Sequence, residues 1–169
     1  MELKRPFDRE CRWDFDGLGF IEEQVAAGST LDGVFSSSDY PGAIVAGAIS
    51  RRLGRPGSSP ERILGSSHKY YSRIAQREVV PDSTPWFQLV DPQRPRGGMS
   101  ELHFPCFIKP VEGAFSVMSR RLDSWEDLDS FLSKPSLAAF FIHYVSMFNR
   151  LVRGLTDFEL DGGYFIAED

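Results

Sequence analysis

Between residues 137 and 152 apolar side chains return at three- and four-residue steps: Leu137, Phe140, Phe141, Tyr144, Val145, Phe148, Leu151 and Val152. That rhythm puts one wide apolar face on a helix running from about residue 136 to 153, and such a face is stable only when something covers it. Lipid is not the cover. The stretch of about 16 residues falls short of the roughly 20 needed to cross a bilayer, and His143, Asn149 and Arg150 interrupt it. The helix therefore reads as a core element. His143 lies off the centre of the stripe with no ligand-type neighbour at metal spacing, which suits a satisfied or solvated imidazole better than a ligand. With 41% apolar and 13% aromatic residues among 169, the chain can bury one ordinary core or two small lobes sharing an interface. A formal net charge of -5 argues against general nucleic-acid binding. Cys11 and Cys106 are too few for a disulfide framework, and no apolar run of signal-peptide length opens the chain. The expectation is a soluble, cytoplasmic protein with reduced thiols and no membrane partner.

The remaining elements follow from periodicity and caps. Leu18, Ile21 and Val25 share a helical face that Gly28 closes. Residues 31–35 read as a strand, and residues 40–53 as a helix whose Ala43, Ala46, Gly47 and Ser50 allow close backbone packing on a sheet, with Gly54 at its end. No G-x-G-x-x-G follows that strand, so this α/β pattern implies no dinucleotide. Ser59-Pro60-Glu61 starts a helix. A second start at Ser66 or Ser67 puts Lys69 in a first turn, where it either faces solvent or holds an anion against the helix dipole. Residues 86–90 form a strand candidate, and the Pro- and Gly-rich residues 91–101 form a connection whose Arg94 and Arg96 either are solvated or meet an anionic substrate. Ser124 with Asp127 caps a further helix bearing Trp125, Leu128 and Leu132 on one face. Tyr164 to Ala167 reads as a last strand.

The run Phe104-Pro105-Cys106-Phe107-Ile108-Lys109-Pro110 reads as a short buried strand confined by its prolines. Lys109 must then either reach water or face an anion, because burying a lone ammonium is costly. In the loop that follows, Gly113, Ala114 and Ser116 are small enough to let backbone N–H groups approach a phosphate, and residues 117–122 return as a second strand. No nucleophile motif or metal cluster is visible, His68 and His103 read as polar surface residues, and neither a Walker lysine motif nor a kinase catalytic loop is present. Two lysines, each beside a source of backbone N–H groups, suit polyphosphate.

Taken in order, Ser59-Pro60-Glu61, His68-Lys69-Tyr70-Tyr71, Val80-Pro81, Phe107-Ile108-Lys109-Pro110 and Phe165-Ile166-Ala167-Glu168 resemble the first half of the ATP-grasp superfamily. The resemblance implies an α/β protein: a partial Rossmann-like leading domain over residues 1–64, then an α+β first nucleotide-binding lobe over residues 65–169, the fold being incomplete without the metal-binding lobe expected after Asp169. It also implies that Lys69 and Lys109 contact the phosphates of ATP, that Gly113, Ala114 and Ser116 belong to the closing loop, and that Ile166, Ala167 and Glu168 form the hinge that receives adenine. The activity implied is that of a carboxylate-amine or carboxylate-thiol ligase acting through an acyl phosphate on an unidentified carboxylate substrate, inactive as this piece alone, with magnesium held by the missing lobe and no catalytic residue assigned here. The alternative from another class is a non-catalytic interaction module that self-associates through an exposed hinge face.

Overall fold

The computed structural model describes residues 15–28, 30–94 and 102–169. The readings of residues 1–14, of Cys11 and of Arg96 lie outside the described residues. Strands β1 (Phe87–Val90), β2 (Cys106–Pro110), β3 (Arg120–Leu122) and β4 (Phe165–Glu168) make a single antiparallel sheet in the order β1-β4-β2-β3. The last strand in sequence is thus inserted at the centre, with Ile166 opposite Leu89 on one side and Lys109 on the other.

Helices α1 (Gly17–Ala27), α2 (Ile44–Arg52), α3 (Pro60–Ser67) and α4 (Lys69–Val79) precede the sheet. Among the described residues no strand forms before Phe87. The strand expected at residues 31–35 is absent: Leu31 is exposed and Phe35 is 91% exposed, so neither face of that segment finds a partner sheet. The Rossmann-like alternation expected of residues 1–64 is accordingly not seen in their described part, and every strand pair among the described residues is antiparallel. The close approach foreseen at Gly47 is real but is made to α3 and the turn before it, where a Cβ would lie 2.7 Å from the Ile63 Cδ1 and 2.8 Å from the Ser58 carbonyl oxygen. Gly54, at φ +63°, ends α2; its amide donates to the Arg51 carbonyl and that of Arg55 to the Ser50 carbonyl, the pairing of a Schellman turn.

Beyond the sheet come α5 (Trp125–Leu132), capped by the Ser124 hydroxyl, then α6 (Pro135–Phe140), a π-helical segment (Phe141–Val145) and α7 (Ser146–Leu155). The last three are continuous, so the expected core helix is present with one π turn in its middle. Apolar packing joins these elements. One face of the sheet, through Val90, Cys106, Ile108, Phe165 and Ala167, packs on Leu128, Phe131 and Leu137 of α5 and α6. The second cluster joins Ile21, Ile44, Leu64 and their neighbours on α1 to α3 to Met147, Phe148, Leu151 and Val152 of α7. The other face of the sheet, with Phe87, Val111 and Ile166, is covered in part by Tyr70 and Ile74 of α4. Among the described residues no helix is long and apolar enough to cross a membrane.

Candidate functional site

Strand alternation aims Cys106 and Ile108 into the core, which leaves Phe107 and Lys109 on the opposite face. Phe107 is opposite Glu168 and Lys109 opposite Ile166, so Lys109 and Glu168 are diagonal neighbours on one face. A long side chain spans that diagonal. The Lys109 Nζ lies 2.5 Å from the Glu168 Oε2. From above, α4 packs Tyr70 and Ile74 onto the same face, and Arg73, on the same side of the helix, brings its Nε to 2.8 Å from the Glu168 Oε1. Arg77, one turn on, sits 4.8 Å over the Phe87 ring. The Glu168 carboxylate is 5% exposed and is shared by two cations, so the trio carries a net positive charge. The open alternatives for Lys109 are thereby resolved: it faces an anion, while its side chain stays 22% exposed.

Lys69 comes to the same region from the start of α4, but not as expected. The cap of α4 is neither Ser66 nor Ser67, which belong to α3; it is His68, fully buried rather than on the surface. The His68 Nε2 donates to the Asp161 carbonyl at 3.0 Å, leaving Nδ1 to accept from the Tyr71 amide. Burial holds the imidazole below its ordinary range, with Lys69 pushing the same way. Meanwhile the Lys69 amide donates to the Val111 carbonyl, and its Nζ donates to the Gly113 carbonyl at 2.9 Å. The Lys69 and Tyr71 amides at the helix start are thus engaged within the chain. Burial lowers the Lys69 pKa; Lys109 adds to that, and Glu112 and Glu168 oppose it. The two predicted lysines are therefore close enough to sense each other.

The loop after β2 departs from simple backbone compliance. Gly113 would accept a Cβ at ordinary contact distances, whereas Phe115, Ser116 and Met118 all take left-handed φ values of 56°, 56° and 53°. Such a conformation costs a non-glycine residue about 1 kcal/mol or more. Ala114 accepts from the Val117 amide across this turn. Ile166 and Ala167 are fully buried and paired on both flanks, so the hinge strand is a central strand and not an exposed face; of its surroundings Phe107 stays open, at 41% exposure. His103 is exposed as foreseen, paired with Asp169 and stacked on Trp86.

Sequence reasoning missed Arg73, Glu112, Tyr40 and Tyr144. Arg73 had a signal, its helical spacing from Tyr70 and Ile74. Glu112 is 4% exposed and lines a cleft of about 480 Å³ with Asp39, Tyr40, Arg62 and Tyr144. Burial pushes its carboxyl up to about 7 against the pull of Lys69, with Asp39 raising it further. Burial and the Glu112 charge raise both tyrosine hydroxyls above their ordinary range.

Among solved structures the chain is similar to an L-amino acid ligase from Bacillus licheniformis, with a TM-score of 0.56 over 89% of this chain and 16% identity. The fold is shared with an amino acid ligase. The chain spans 29% of that ligase's length. No family model and no curated protein sequence matches it.

Proposed function

We propose that the chain binds ATP as the first nucleotide-binding lobe of an ATP-grasp ligase that joins a carboxylate to an amine or thiol. The observation that carries this reading is the arrangement of three cations, Lys109, Arg73 and Lys69, from separate turns of chain around one buried carboxylate, Glu168, beside a partly exposed aromatic ring. A phosphate chain meeting this face exchanges water for charge-assisted hydrogen bonds. The fold likeness to an amino acid ligase supports the same reading.

In this reading Lys109 and Lys69 hold phosphate oxygens, and Glu168 keeps Lys109 and Arg73 extended and separated. Gly113, Ala114 and Ser116 supply the loop beside the phosphates, and Ile166 and Ala167 form the rigid strand behind the base, with Phe107 against its ring. The phosphoryl group of ATP is what would activate a carboxylate for attack. The reading divides the chain into a leading region, residues 1–64, and the lobe, residues 65–169, which meet within α3. Magnesium is expected with the nucleotide. Among the described residues no three of His, Cys, Asp or Glu converge, so no ligand for it is assigned here and no step is derived through it.

Calorimetric titration with ATP, with and without magnesium, tests the proposal. Saturable binding that Lys109→Ala weakens by about 1.5–3 kcal/mol, the range for a hydrogen bond to a charged group, is the expected result. A folded chain that binds no ATP, or a Lys109→Ala variant with unchanged affinity, overturns it.

A further inference from the structure

Glu112 senses Lys69 electrostatically but makes no ion pair with the cation cluster around Glu168. It follows the buried end of β2, yet its side chain lines the cleft between the helical half of the molecule and the loop after β2. Its Oε2 is buried and has no hydrogen-bond partner, and the same is true of the Tyr40 Oη, another group on that cleft. Buried carboxylate oxygens without a donor are rare, because losing hydration uncompensated is expensive. Lys69 does not supply the donor: its Nζ hydrogen-bonds the Gly113 carbonyl and makes no hydrogen bond to the Glu112 Oε2. A donor from outside the chain fits the vacant hydrogen-bonding positions.

The chemistry of the walls narrows what that donor is. The Glu112 carboxylate, the Tyr40 Oη and the Asp39 carboxylate are all acceptors, and Tyr144, in the π-helical segment, adds an aromatic wall. Acceptors on the wall of one cleft suit the N–H bonds of a primary ammonium group, and the Tyr40 hydroxyl can donate as well. A divalent metal fits less well, since hard cations take six or more oxygens and no three acidic or imidazole groups converge among the described residues. The cleft, about 480 Å³, lies within the range of small-molecule sites, and Arg62 lines it as well, offering a counter-charge to a carboxylate on the same ligand. π-Helical turns such as the one carrying Tyr144 recur at functional sites.

We propose that this cleft binds a small primary ammonium compound, with the Glu112 carboxylate and the Tyr40 hydroxyl as its acceptors. The inference does not depend on the nucleotide reading, and its test contains no nucleotide. The full chain is titrated by calorimetry with ethylamine, glycine and acetate. Saturable binding of both amines and none of acetate is expected. Tighter binding of glycine than of ethylamine assigns an amino acid, with Arg62 on its carboxylate; equal affinities assign the amine alone, and both results support the site. Glu112→Gln is expected to weaken amine binding about tenfold or more, and Tyr40→Phe about fivefold. Each substitution removes a group whose buried atom lacks a partner, and thermal melts verify that the variants fold. The proposal is overturned if neither amine binds, if acetate binds as well as the amines, if calcium displaces them, or if the folded Tyr40→Phe and Glu112→Gln variants bind as the parent does.

Discussion

Replacing Glu168 by Gln probes the centre of the candidate site without changing its volume. The carboxylate Oε2 accepts from Lys109 and from the Arg73 Nη2, its Oε1 lies 2.8 Å from the Arg73 Nε as an ion pair, and both cations are about three-quarters buried. Glutamine retains an acceptor oxygen but no charge, so both cations lose their counter-charge and an amide NH₂ takes the place of one carboxylate oxygen. Removing one partner of a buried ion pair costs about 3–5 kcal/mol. The residual exposure of Lys109 and Arg73 lets water screen part of this, which puts the expected loss near the lower end, about 3 kcal/mol. For a chain of this size that lowers Tm by roughly 6–12 °C. The assay is urea and thermal denaturation of Glu168→Gln, Lys109→Met and the double variant. Because the unpaired ammonium is what destabilises the single variant, adding Lys109→Met should restore about 1–2 kcal/mol, a non-additivity that independent sites do not show. A loss below about 1 kcal/mol, or strict additivity in the cycle, refutes the view that Glu168 is the counter-charge holding this face together.

Three further outcomes follow from single groups. Because burial raises the Glu112 pKa above its unfolded value, the folded state holds that proton more tightly; stability is full below pH 4.5 and declines as pH rises through about 7, by about 3 kcal/mol in all. Lys69, Asp39, Tyr40 and Tyr144 face this carboxyl, and Glu112→Gln should remove its contribution, so that the Tm advantage of the variant widens from pH 5 to pH 8; parallel profiles would refute the assignment. His68 slopes the other way: its pKa is depressed, so its contribution is full above about 6.5 and is lost on acidification. Ser124→Ala, which deletes the hydroxyl accepting the Asp127 amide at 3.2 Å, should cost about 1 kcal/mol in urea denaturation, and no loss would place the cap among the frayed contacts.

Short-range chemistry made much of this molecule legible before its fold was known. The apolar rhythm of residues 137–152, the serine caps at Ser59 and Ser124, the glycine closing α2 at Gly54 and the strand around Ile108 each depend on neighbours a few residues away, and each is found where expected. The segment at residues 31–35 shows the limit of that logic. Its apolar residues fit a strand, yet a strand needs a partner ladder, and only the assembled chain decides whether one is within reach. The same holds at the site. Lys109 and Lys69 could be singled out because a cation in an apolar or helix-start setting is locally odd, whereas the identity of their partners was not readable. Glu168 lies 59 residues from Lys109 and 95 from Arg73, and they meet because β4 enters the sheet between β1 and β2 while α4 packs across it. Likewise, Glu112 is an ordinary acidic residue in the sequence, and burial by elements distant in the chain makes its charge costly. Sequence alone determined which segments become helices or strands where local signals sufficed; tertiary structure decided which charges pair and which remain unmatched, because electrostatic energy depends on distance and burial, and neither is a local property of the chain.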